Sequence, residues 1–308
     1  MSFQTVLNDV LKERFIEVVG NRPFGGCESA SQAPYYLADL QDNLIELMDA
    51  QHAAEYGGGS GNELDSKMKA LRSSSALTFN TFGSGPVTFN GDCFLPGGTY
   101  SVAYEYQLPT LMRNPNPANL DARLVRDDDG CAAYFEFKML EWLTSQPGLL
   151  RTAYLDPENY LIPRDEAELF VEAFAWLADC NPQAAVDAGQ PLKCRFSHYD
   201  AFQMAKHLLA VYTAVVQGKE IHPKIALVNC VWDLVHPEKL GKYEAHYREL
   251  RSCEDAEYEE FEEAMVPLCA LFWNRDIDFH LGFLTHSRLL NGMVISSDKR
   301  AKLARYLI

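Results

Sequence analysis

Several patterns that mark common classes of protein are missing from this chain of 308 residues. None of its eight cysteines stands at CxxC spacing, so there is no compact zinc motif and no dense disulfide framework. The N-terminal segment lacks the uninterrupted apolar core of a signal peptide, and the longest apolar run, residues 208–216, is too short to cross a bilayer. These absences predict a soluble cytoplasmic protein with reduced thiols and no membrane partner.

Motifs of several enzyme classes are missing too. The glycine run GGGSGN at 57–62 has no Lys-Ser or Lys-Thr after it, as a P-loop requires, and we interpret it as a flexible connector. The GxSxG motif of a nucleophile elbow is absent, and so are HExxH and HxxEH. His198 and His207 are nine residues apart on one predicted helix, which matches no compact metal-ligand spacing, and we interpret them as structural or surface residues.

Positive charge is scarce. The chain has 27 Lys and Arg residues against 43 Asp and Glu residues, which gives a net charge of -16. Such a surface repels nucleic acid and other polyanions unless a local basic patch or a bound metal reverses the field. The hydrophobic content of 47% is ample for a packed core.

Hydrophobic periodicity predicts an α/β protein. Helical spacing occurs at 32–56, 63–77, 165–180 and 197–218, and the tail after about Glu238 is helical in character. Alternation and strand-favouring residues predict strands at 101–108, 120–125, 132–140 and 224–235. The first three strands have short connections, which predicts an antiparallel meander, and the fourth is apolar enough to be buried on both faces.

The organisation along the chain predicts three segments packed as one globular unit. Residues 1–56 form an N-terminal helical segment, residues 57–236 form the core, and residues 237–308 form a C-terminal helical segment.

Two opposite charges interrupt the apolar segment AAYFEFKML. Glu136 and Lys138 are two apart on a predicted strand, so their side chains project from one face while Phe135 and Phe137 project from the other. An ordinary ion pair on a solvated face is the simplest interpretation of an isolated ExK.

Other carboxylates stand on neighbouring elements. Asp121 begins the adjacent predicted strand, Glu105 shares a strand face with Gln107, and Glu63 begins the short helix after the glycine run. Carboxylates that converge beside one lysine suit Mg²⁺, which prefers oxygen ligands and keeps several waters. A lysine in such a site can position the attacking water and stabilise charge on a phosphate.

These residues, in this order, resemble the PD-(D/E)xK nuclease superfamily. The stretches ELDSKMKALRSSSALTFNTFG, YEYQLPTL, NLDARL and YFEFK are together similar to a bacterial group of uncharacterised restriction-endonuclease-like proteins within it. The resemblance spans roughly residues 55–235 and implies a core of helix 63–72, three-strand antiparallel meander, helix 197–217 and fourth strand. Leu120 stands where the superfamily name has Pro.

The resemblance assigns roles to the candidate residues. It implies that Asp121 is the metal-binding Asp, that Glu136 and Lys138 are the (D/E)xK pair, and that Glu63 is the upstream helix acid, with Mg²⁺ as cofactor and Mn²⁺ as substitute. Glu105 is a further candidate for the catalytic shell. Candidate substrate contacts are Gln107, Arg123 and Arg126, the two arginines because they flank Asp121.

The expected function is a metal-dependent endo- or exodeoxyribonuclease, with DNA as the expected partner and a homodimer as one possible assembly. The alternative is a catalytically silent protein of the same fold that binds a protein or nucleic acid partner, and the negative charge favours a protein. An unrelated α/β fold, in which Glu136 and Lys138 form only an ion pair, also stays open.

Overall fold

The computed structural model describes residues 2–59, 63–91, 95–112, 117–128, 130–143 and 147–308. The strands are β1 Val87–Phe89, β2 Gly98–Leu108, β3 Ala118–Arg126, β4 Ala132–Lys138, β5 Leu149–Leu150, β6 Leu192–Lys193, β7 Lys224–Val231 and β8 Asp278–Thr285. The α-helices are α1 Phe3–Val19, α2 Ala50–Gly58, α3 Ser74–Phe82, α4 Arg164–Leu177, α5 Pro182–Ala188, α6 Ala201–Val216, α7 Glu244–Trp273, α8 His286–Gly292 and α9 Ser297–Leu303. Residues 60–62 of the predicted connector lie outside the described residues.

A mixed six-stranded sheet organises the fold, with strand order β1-β2-β3-β4-β7-β8. Strands β2, β3 and β4 pair antiparallel in sequence order, which confirms the predicted meander. Strand β7 pairs parallel with β4 on one side and with β8 on the other. All of β7 except Lys224 is buried, as its apolar composition predicted. The protein is therefore α/β.

The sheet separates two hydrophobic cores. The first core contains Phe135 and Phe137 of β4, which pack against Phe82 of α3 with ring centroids 5.2 and 5.6 Å apart. The second core lies on the other face and is filled by α4, α6 and α7, with Leu208 and Leu209 fully buried. Helix α6 thereby lies against the face of β4 opposite the phenylalanines.

The regular alternation of side chains along β2 is interrupted at Glu105. Residues two apart across this point therefore face different cores. Tyr104 packs into the first core, whereas Tyr106, only two residues later, packs against the second. Residues two apart on a regular strand face the same side, and the reversal coincides with a φ of 48° at Glu105. Strand β3 makes the same reversal around Asp121. The two acidic residues therefore lie at a shared irregularity of the sheet.

The prediction of an entirely helical tail after residue 237 is wrong at β8. This strand joins the sheet by parallel pairing with β7, from Lys224↔Asp278 to Val231↔Thr285. Its sequence DFHLGFLT buries Phe279 and Leu281 and exposes His280 between them, which is the period of a strand.

Helix prediction also failed at 32–49 and 63–72. Residues 32–49 contain two short 3-10 turns and two bridges, Phe24↔Leu37 and Tyr36↔Ala70. Leu37 and Leu44 are buried in different hydrophobic clusters, so the leucines do not form one helical face. Glu63 precedes the 3-10 turn Lys67–Lys69, and the α-helix that follows begins only at Ser74. Within the described residues, no helix combines the length and apolar character needed to cross a membrane.

Candidate active site

Strand β4 presents Glu136 and Lys138 together, as their spacing predicted. The Lys138 Nζ lies 2.9 Å from the Glu136 Oε1, and the two side chains are 15% and 5% exposed. Phe135 and Phe137 are sealed in the first core on the opposite face. The pair is therefore buried beneath α6 and does not lie on a solvated face.

Helix α6 supplies three more groups to this pair. Gln203 Nε2 donates to Glu136 Oε1 at 2.7 Å, while Lys138 Nζ donates to Gln203 Oε1 at 2.6 Å. The Nε2 of His207 lies 3.1 Å from the Glu136 Oε2, and Asp200 lies 3.7 Å from the lysine. Gln203 and His207 are four residues apart on α6, so their side chains project from the same face of the helix toward Glu136.

Charge pairing decides the ionisation of Glu136 and Lys138. Burial alone would raise the pKa of Glu136, but Lys138 and His207 outweigh it and lower that pKa to about 2. Burial alone would lower the pKa of Lys138, but Glu136, Asp200 and Glu141 outweigh it and raise that pKa. Both groups are consequently charged across the physiological range.

Asp121 lies on β3, and its side chain contacts the backbone of the neighbouring strand β4. Its Oδ2 accepts a hydrogen bond from the Phe137 backbone N–H at 2.6 Å, which fixes the carboxylate at the junction of β3 and β4. Burial raises its pKa well above the ordinary value, and the neighbouring Glu136 and Glu105 carboxylates raise it further. Negative charge at Asp121 is thus not fully compensated by the surrounding protein.

Glu105 and Glu63 continue the acidic group. Burial raises the pKa of Glu105 to about 7 against a hydrogen bond from Asn119, and the charges of Glu63 and Glu136 add to the rise. Glu63 accepts from Ser75 Oγ at 2.7 Å and pairs with Lys67 at 2.9 Å. Glu63 is therefore near the other acids, although it stands in a turn and not in the predicted helix.

The donor set fits a divalent cation only in part. Among the described residues, no three His, Cys, Asp or Glu side chains are grouped so that they could hold a metal ion. Asp121 and Glu105 nevertheless offer hard oxygen atoms; burial is the main cause of their raised pKa values, and repulsion from neighbouring carboxylates, which a cation would relieve, adds to it. Mg²⁺ takes few protein ligands and completes its shell with water and substrate oxygens, so Asp121 and Glu105 are the two side chains here with the chemistry to serve as its ligands.

The predicted substrate contacts are engaged elsewhere. Arg123 pairs with Glu220 at 2.9 Å, and Arg126 pairs with Asp128 at 2.7 Å. The side-chain amide of Gln107 donates to the Gly58 carbonyl at 3.1 Å. Both arginines were proposed because they flank Asp121 in sequence, but each guanidinium here satisfies a carboxylate of its own.

Sequence reasoning missed Gln203 and His207. Gln203 and His207 are four residues apart in QMAKH, which places them on one face of a helix. The prediction for His207 depended only on its spacing of nine from His198 and did not test this pair. The side chain of His198 instead contacts the Trp142 carbonyl at 2.8 Å, and both histidines fit the structural interpretation, since His207 is buried against Glu136.

Comparison of the chain with family models, with curated proteins and with solved structures finds no match.

Proposed function

We propose that this protein is a metal-dependent nuclease of the PD-(D/E)xK superfamily that hydrolyses phosphodiester bonds, with DNA as its substrate. The observation that carries the proposal is that Asp121 lies close enough to Glu105, Glu136 and Lys138 for their charges to interact, where the three antiparallel strands adjoin. A helix, this meander, α6 and β7 also follow one another in the order that the resemblance implies. The finer restriction-endonuclease-like architecture is part of the proposal.

The proposed roles follow from the charges of the groups. Asp121 and Glu105 would hold Mg²⁺ or Mn²⁺, with Glu136 beside them and Glu63 completing the acidic surroundings. The metal would act as a Lewis acid toward a phosphate oxygen. Lys138 holds a proton firmly, so its role is to orient the attacking water and stabilise charge on the phosphate, rather than to accept a proton.

A cleavage panel tests the proposal. Wild type, Lys138→Ala and the control Lys224→Ala are each incubated with plasmid, linear duplex, single-stranded DNA and RNA, in Mg²⁺, Mn²⁺ or EDTA. Lys224 is a suitable control because it lies on the same sheet but is half exposed and pairs with Asp278. We expect metal-dependent cleavage of DNA by wild type and by the control alone. Cleavage by Lys138→Ala at the wild-type rate would overturn the mechanism.

A second candidate is a catalytically silent protein of this architecture that binds a partner protein. Lys138 is committed to Glu136 and Gln203, and the net charge of -16 disfavours binding to a polyanion. Calorimetric titration with Mg²⁺ separates the candidates, because a silent protein has no need of the ion. A site present in wild type and lost in Asp121→Asn would support the nuclease.

A homodimer remains a prediction, which sedimentation velocity of the full chain can test.

A further inference from the structure

A cavity of about 260 Å³ lies beside the candidate active site. Gln203 and His207, which both contact Glu136, form part of its wall. The remaining lining residues that matter here are Asn119, Leu149, Arg151 and Lys206. The cavity thus shares two side chains with the acidic site and continues away from it toward β5.

Two cations line this cavity without a carboxylate partner. Within the part of the chain that the structure describes, neither Arg151 nor Lys206 lies within 4.0 Å of an acidic oxygen. Burial lowers the pKa of Lys206; the charges of Asp200 and Glu136 oppose this shift, while those of Lys138 and Arg151 add to it. Arg151 and Lys206 line the same cavity, close enough for their charges to interact. In a chain with a net charge of -16, such an arrangement favours an anion between them.

Two further polar residues and an apolar rim complete the cavity wall. Asn119 Oδ1 and His207 Nδ1 are buried without a hydrogen-bond partner, although the side chain of each residue has a partner at its other polar atom. Both atoms are closed off from solvent, so the direct polar contacts of a ligand in this cavity come from Arg151 and Lys206. Leu149 is 63% exposed at the rim, where it can contact a sugar or a base.

We propose that this cavity binds a phosphate monoester at the end of a nucleic-acid strand, so that the protein acts from strand ends. The inference rests on the proposed nuclease function. A terminal phosphate carries close to two negative charges at neutral pH, which matches two cations, whereas an internal diester carries one. An end that enters a cavity also brings fewer phosphates against the acidic surface than a duplex lying along it.

Binding without cleavage tests the cavity directly. Wild type in EDTA is titrated by fluorescence anisotropy with one oligonucleotide carrying a 5′-phosphate, a 3′-phosphate or only hydroxyl ends. We expect one phosphorylated form to bind roughly tenfold to a hundredfold more tightly than the hydroxyl form, as charge-assisted hydrogen bonds allow. The variant Arg151→Gln/Lys206→Gln should lose this difference. Lys193→Gln, an exposed cation on β6 outside the lining, should keep it.

Competition distinguishes the source of the phosphate. A nucleoside monophosphate should displace the phosphorylated oligonucleotide at lower concentration than inorganic phosphate does. Equal competition by the two would overturn the assignment of a nucleotide end.

Equal binding of all three oligonucleotides by wild type would overturn the cavity proposal even if DNA is cleaved. Preference for a phosphorylated end, lost in the double variant, would support the cavity even if no cleavage is found. Failure of the cavity and failure of the nuclease are thus separate results. Thermal melts of the double variant verify that it is folded, which is expected because Arg151 is exposed and Lys206 half-buried.

Discussion

The ammonium group of Lys138 lies 2.9 Å from the Glu136 carboxylate, and both side chains are almost entirely withdrawn from solvent. A buried ion pair is tolerated only where further hydrogen bonds satisfy its remaining atoms. Gln203 forms hydrogen bonds with both Lys138 and Glu136, and His207 Nε2 lies within hydrogen-bond distance of the second Glu136 carboxylate oxygen. The charges are consequently held in one arrangement before any ligand arrives, which is a property of sites that act on charged substrates.

Removal of one charge from this pair should destabilise the protein. Lys138→Met leaves the Glu136 charge buried with Gln203 and His207 as its partners among the described residues, and we expect a loss of about 3 kcal/mol in the free energy of unfolding. Glu136→Gln/Lys138→Met removes both charges and should recover most of that loss. Urea unfolding of the two variants measures the difference, and both should be inactive in the cleavage panel. Equal stability of the single and double variants would contradict the structure.

Asp121→Asn should stabilise the protein without metal and abolish its response to Mg²⁺. The asparagine Oδ1 can still accept from the Phe137 N–H, while the repulsion from Glu136 and Glu105 disappears. We expect a gain of about 1–2 kcal/mol at pH 8. Wild type should gain about 1.4 kcal/mol from Mg²⁺ at tenfold excess over its Kd.

Thermal melts with and without Mg²⁺ measure both effects. Asp128→Asn is the matched control, because it removes an exposed carboxylate from the same hairpin. The control should keep the wild-type response to Mg²⁺, and a response that persists in Asp121→Asn would show that the ion binds elsewhere.

The antiparallel core was predictable because its signals are local. Residues 101–108, 120–125 and 132–140 each alternate or favour strands, and turn residues separate them, so the meander follows from neighbouring sequence alone. The facing of Glu136 and Lys138 followed from the strand period for the same reason.

The missed features depend on contacts between distant segments. Strand β8 exists because its backbone pairs with β7, about fifty residues earlier, and the helical context on both sides hid its period. His207 belongs to the site only because α6 packs on β4. The pairing of Arg123 with Glu220, 97 residues later, likewise could not be read from their neighbours.

The two arginines beside Asp121 should behave in opposite ways. Arg123→Gln removes the arginine partner of Glu220, whose side chain is 1% exposed, and leaves it with Tyr134 and His222, so we expect a loss of about 3 kcal/mol in the free energy of unfolding. Arg126→Gln breaks an exposed pair with Asp128 and should change stability little. Urea unfolding of both variants decides the matter. A role for either arginine in phosphate binding would instead weaken DNA binding without altering stability.

A buried histidine should make the fold sensitive to acid. Burial lowers the pKa of His286 from 6.5 to about 3, and its Nε2 lies 2.9 Å from the Thr81 Oγ1. The Thr81 hydroxyl donates to the Leu77 carbonyl, so its oxygen accepts from a neutral imidazole N–H. Below pH 6.5 the unfolded chain binds a proton at His286, whereas the folded chain does not until the pH approaches about 3. The stability contributed by the neutral ring is therefore complete above pH 6.5 and is lost as pH falls toward about 3.

His286→Gln isolates this effect. The glutamine amide N–H can replace the imidazole donor to Thr81 but does not titrate. Between pH 7 and pH 5 we expect wild type to lose about 2 kcal/mol more than His286→Gln does, since 1.36 kcal/mol corresponds to one pKa unit. Guanidinium unfolding at several pH values gives the two curves. His236→Gln is the control, because it makes the same replacement at an exposed histidine. Parallel curves for wild type and His286→Gln would show that the ring accepts a proton in the folded state.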